Sequence, residues 1–168
     1  MPYGERMEEH PSGRKESEAE RLDRNLGELL QELRVALPGV QVLFAFLLAV
    51  PFQQGFAKID GFEKGVYFAT LLLTALSAVL LIAPSSYHRM TFRLQQKREL
   101  IRLANHLTIA GLTFLALAMT GAIVLITSVL FGGVATIVAG VVTATVFAFV
   151  WYVVPLRRRL SLTGNVRP

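Results

Sequence analysis

The stretch LTIAGLTFLALAMTGAIVLITSVLFGGVATIVAGVVTATVFAFVWYVV, from Leu107 to Val154, holds no charged side chain. As one helix it would be about 70 Å long, more than twice the roughly 30 Å hydrocarbon core of a bilayer. It therefore suits two spans. Phe131-Gly132-Gly133 is the natural turn between them, because glycine admits positive φ and weakens helix interiors. Spans are expected at about 107–131 and 133–154. Pro155 is expected to end the second, and Arg157, Arg158 and Arg159 follow at once.

Two more apolar blocks lie upstream. Residues 66–83 are uncharged and stop at Pro84. Residues 35–52 carry no charge and are marked by Pro38 and Pro51. The chain has 168 residues, 53% of them hydrophobic, gathered into these blocks rather than spread through polar sequence. That distribution is a membrane signature. The expected fold class is an all-α membrane protein, a bundle of four transmembrane helices. The chain has no cysteine, which excludes disulfides, thiol catalysis and thiolate metal sites.

Ahead of the first span, Leu26, Leu29, Leu30, Leu33, Leu37 and Val40 follow the spacing of one helix face. This predicts an amphipathic interfacial helix, capped at Asp23, that leads into the first span and bends at Pro38. Residues 1–22 are polar and are expected to be a disordered cytoplasmic tail. The transmembrane domain then covers 23–155, and 156–168 form a basic cytoplasmic tail.

Fifteen of the 17 lysines and arginines fall in the N-terminal segment, the polar stretch 85–106 and the C-terminal tail. The segment between the first two spans has only Lys58 and Lys64. The positive-inside rule then puts both termini in the cytoplasm, as expected of an inner-membrane protein. A net charge of +5 can suggest nucleic acid, but these charges flank apolar blocks and are expected to meet anionic lipid headgroups instead.

Ionisable groups are costly in a membrane and usually mark function. The three uncharged blocks have none. The candidate ion path is therefore sought at the cytoplasmic mouth of the first span: Glu28, Glu32 and Arg34, with Gln41 inside the span. Glu28 and Glu32 share a face, either as a solvated surface or as an ion-attracting pair. Gln41 calls for a hydrogen-bond partner, across helices or in a cavity. Arg89, Arg93 and Lys97, with Arg102, form a basic stripe for lipid or for pairing with Glu28 and Glu32. Thr136, Gly140, Ala144 and Ala148 repeat every four residues as a packing face, within one bundle or between copies. His88 and His106 lie near the interface without the partners of a zinc site. No sequence motif of a soluble enzyme occurs, so neither catalysis nor a cofactor is expected.

Two stretches carry a family resemblance. One is ELLQELRV, Glu28 to Val35, continuing through Pro38, Gln41, Phe44–Leu48 and Pro51-Phe52. The other is LIAPSSYHRM, Leu81 to Met90, with Phe92-Arg93, Lys97 and Ala104-Asn105. Over about residues 23–155 the chain resembles an uncharacterised family of small four-span membrane proteins, commonest in actinobacteria. Some of its members are labelled sodium:proton antiporters, whereas this sequence has no acid in mid-membrane. The resemblance implies topology and assigns no catalytic residue. The expectation is a homo-oligomeric ion channel or small-ion transporter. The rival is a non-transport scaffold or partner subunit of an envelope complex.

Overall fold

The computed structural model describes residues 18–91 and 97–164. These are helical apart from short connections. Four helices are long and apolar enough to cross a membrane. They are α1 (Glu18–Ala49), α2 (Gly61–Thr91), α3 (Lys97–Leu130) and α4 (Gly133–Ala148), the last prolonged by a π-helical turn and α5 (Val154–Gly164). Two short 3-10 turns, Val50–Phe52 and Phe56–Lys58, join α1 to α2. Gly132 and Gly133, at φ 64° and 50°, make the tight turn that the sequence predicts.

The first helix departs from expectation in two ways. It is one unbroken element from Glu18, so Asp23 does not cap it and residues 18–22 are helical. Glu, Ala, Arg and Leu in this segment are strong helix formers and carry it upstream. Its apolar stripe also packs against protein rather than lying along a membrane surface. Leu26, Leu33, Val40 and Leu47, each seven residues from the next, are all buried. Leu33 and Val40 join Leu81 of α2 and Leu115 of α3 in one core cluster. Pro38 lies inside the helix and is exposed, so the carbonyl it frees sits on the outer surface.

Prolines do not end the other helices either. Pro84 is fully buried within α2, which continues to Thr91. A proline is tolerated inside a membrane helix when neighbouring helices cover it. The fourth span runs on through Pro155 because a π-helical turn, Phe149–Val153, precedes it. The wider turn relieves the clash between the proline ring and the preceding carbonyl.

The bundle is uneven. α2 and α3 form its most extensive contact, and α1 lies against both. α4 packs on α3 and on no other membrane helix among the described residues. None of its apolar window is buried inside the chain.

Candidate functional site

Polar side chains gather in three places. The first is the α2–α3 seam. The buried face of α2 presents Thr70, Thr74 and Ser77. Thr70 and Thr74 donate to carbonyls one turn back, Val66 at 2.7 Å and Thr70 at 2.8 Å. Ser77 donates across the seam to the Gly111 carbonyl at 2.8 Å. The facing side of α3 is small: Ala104, Gly111, Ala118 and Gly121. Cβ atoms are excluded at both glycines: one at Gly111 would lie 2.8 Å from the Leu81 side chain, and one at Gly121 2.3 Å from Thr70 Oγ1. The seam is thus polar yet closed. The hydroxyls of Thr70, Thr74 and Ser77 are small enough for close approach and are satisfied by backbone carbonyls, whereas the buried Thr108 hydroxyl of α3 has no partner among the described residues.

The second place is the end of the bundle that holds the 53–60 connection. Asp60 caps α2: its Oδ1 accepts the Glu63 N–H at 2.8 Å, and Glu63 Oε2 accepts the Asp60 N–H at 3.1 Å. This reciprocal capping box satisfies two donors of the helix start. Glu63 Oε1 also accepts the Ser128 hydroxyl at 3.0 Å, tying α2 to the end of α3. Beside it, Tyr67 donates to the Leu47 carbonyl of α1 at 3.1 Å and meets Phe56 edge-to-face. Val50, Phe56, Ile59, Leu125 and Val129 line an apolar slot here.

The third place is the outer face of α1. Glu28, Glu32, Arg34 and Gln41 are all exposed on it. Glu28 pairs with Arg24 at 3.7 Å, between two largely exposed side chains, which contributes little. Glu32, Arg34 and Gln41 make no ion pair or hydrogen bond among the described residues.

The expectations are met unevenly. The four candidate path residues share one helix, but on its open side rather than in a cavity of the chain. Pairing of Glu28 and Glu32 with the basic stripe is not formed among the described residues. Arg89 and Arg102 are exposed; Arg93, and the side chains of Lys97 and His88, lie outside the described residues. The small-residue row of α4 is half used. Thr136 is buried and Gly140 meets Val124 of α3, whereas Ala144 and Ala148 face outward. The cause is that α4 meets only α3 among the described membrane helices. His106 Nδ1 sits 2.7 Å from the Arg102 carbonyl, a contact within its own helix. Among the described residues no group of three or more His, Asp or Glu is placed for a metal.

A family model described as a family of unknown function (DUF6328) matches residues 15–155. The chain belongs to that family. No curated protein and no solved structure matches it. The DUF6328 match and the four apolar helices together make this a multi-pass membrane protein.

Several positions in this DUF6328 chain escaped sequence reading. Asp60-Gly-Phe-Glu63 has the spacing of a capping box before an apolar run, a signal that was there to find. Tyr67, Ser77 and Gly121 carried no local signal, because their roles depend on which helix lies opposite. The same holds for Thr113 and Tyr152, whose hydroxyls share a 2.5 Å hydrogen bond between α3 and the π-helical turn.

Proposed function

We propose that this chain is a bacterial plasma-membrane protein, with both termini in the cytoplasm, that assembles into homo-oligomers and passes small ions between its copies. One observation carries the reading: Glu28, Glu32, Arg34 and Gln41 are all exposed on α1, turned away from the chain's own core, with Glu32 on one flank and Arg34 and Gln41 on the other. The seam between α2 and α3, by contrast, has no room for a methyl group at Gly111 or Gly121. A path therefore belongs between chains, with α1 beside it. The carboxylates at its cytoplasmic mouth would raise the local concentration of cations. Arg89 and Arg102, exposed near the same end, suit anionic headgroups. The reading needs no catalytic residue and no cofactor.

Purified protein in liposomes is expected to pass Na⁺, K⁺, H⁺ or Cl⁻ faster than empty vesicles. Replacing Gln41 with Leu, or Glu28 and Glu32 with Gln, should change rate or selectivity severalfold. Absence of flux for all four ions defeats conduction. Orientation has its own check. Green fluorescent protein fused after Pro168 should fluoresce, whereas alkaline phosphatase at the same place should be inactive; the opposite pattern reverses the topology.

A non-transport role is the second reading, and the open α4 favours it. A helix with none of its apolar window buried in its own chain is free to meet a different membrane protein. Co-purification of one such protein in fixed stoichiometry, without flux, would support that role.

A further inference from the structure

We infer that copies of this chain join head to tail through α1, the flank holding Arg34, Gln41 and Leu48 meeting the flank of the next copy that holds Glu32, Gly39 and Phe46. The inference rests on the oligomeric part of the reading above and names the contact that makes it.

The geometry starts from the buried row. Leu33, Val40 and Leu47 are at most 4% exposed and point inward. A helix turns about 100° per residue, so the residue before each and the residue after each stand on opposite flanks. Glu32, Gly39 and Phe46 form one flank; Arg34, Gln41 and Leu48 form the other. All six are exposed.

The two flanks are complementary level by level. At the cytoplasmic end an acid faces a base, and neither has an ion-pair partner among the described residues. One turn or two further in, the Gln41 amide faces Gly39, where no atom lies within 4 Å of a Cβ position. The glycine exposes backbone that a glutamine side chain can approach and hydrogen-bond. Deeper still, Leu48 meets Phe46. Lipid chains offer Gln41 nothing, and an unsatisfied amide in hydrocarbon costs about 2 kcal/mol or more. The open face of α4 carries one exposed polar side chain, Thr145, whose hydroxyl is short enough to bond a carbonyl of its own helix; the longer Gln41 amide has no such recourse, so α1 is the surface that demands protein. Because the two flanks differ, the contact is heterologous and joins copies in series, as a ring where the rotation between copies closes, rather than as a two-fold dimer.

The cysteine-free chain makes the test clean. The double variant Gly39→Cys with Gln41→Cys, oxidised in membranes, should give a ladder of cross-linked species beyond the dimer. Gln41→Cys alone should give no cross-link. A dimer from Gln41→Cys alone means a two-fold contact and overturns the proposal, as does a double variant that stays monomeric. Charge exchange gives a second test. Glu32→Arg and Arg34→Glu should each weaken assembly, measured by mass in nanodiscs, and the combined exchange should restore it. Unequal rescue is decisive: if the combination is as weak as the singles, the charges do not meet. A ladder without ion flux supports this contact and removes the conduction reading, whereas flux without a ladder does the reverse.

Discussion

Gly121→Ala is expected to destabilise the bundle by about 1–3 kcal/mol, the range for overpacking a close-packed interior. The added methyl would lie 2.3 Å from Thr70 Oγ1 and 3.3 Å from Thr70 Cβ. Thr70 cannot easily turn away: it is buried, branched at Cβ, and its hydroxyl is committed to the Val66 carbonyl. Either α2 and α3 separate or the threonine loses its bond. The measurement is reversible unfolding in mixed micelles, comparing three variants. Gly121→Ala should lose stability. Gly121→Ala with Thr70→Ala should recover much of it, because the second change makes room. Gly27→Ala, where no atom lies within 4 Å of a Cβ, should be neutral or gain up to about 1 kcal/mol from helix propensity. Equal effects at Gly121 and Gly27 would refute the close approach of α2 and α3.

Tyr67→Ala is expected to cost about 3 kcal/mol, the low end of the range for removing a buried aromatic ring. The low end applies because lipid replaces water as the medium of the separated helices and the loss is chiefly packing. The ring is 7% exposed and belongs to the cluster with Leu47 of α1 and Leu125 of α3, so one side chain holds three helices. Its hydroxyl is worth less. Tyr67→Phe keeps the ring and drops the bond to the Leu47 carbonyl, at a cost of about 0.5–1.5 kcal/mol. The ratio of the two losses is the check. If phenylalanine is as damaging as alanine, the hydrogen bond dominates and the packing argument fails.

What the sequence discloses depends on the range of the interaction. The uncharged blocks mark the four spans because the bilayer imposes length and apolarity on each one separately. The turn at Gly132-Gly133 is a local conformational requirement and is equally legible. The prolines mislead for a related reason. Pro84 and Pro155 look like terminators until neighbouring helices or a π-helical turn are known to cover the break. The stripe at Leu26, Leu33 and Val40 is visible, but its partner is not: a water–lipid boundary and a helix pair ask for the same pattern. Glu28, Glu32 and Gln41 are noticed because polar groups near a membrane stand out. Glu63 is overlooked because its bond to Ser128 spans residues far apart in the chain. The uneven place of α4 has no sequence signal, since its composition is as apolar as a central helix would be.

The spacing of α1's buried row has a mechanical consequence. Seven residues fall about 20° short of two full helical turns, so three such steps would carry the row about 60° around a straight rod. Leu26, Leu33, Val40 and Leu47 nevertheless all stay against the other helices. A groove formed by two helices holds such a drifting row where a single partner could not, and α1 lies against both α2 and α3. The end of the row near Leu26 and the end near Leu47 therefore do not lean on the same neighbour equally, and the outer face where Gln41 stands is fixed by both.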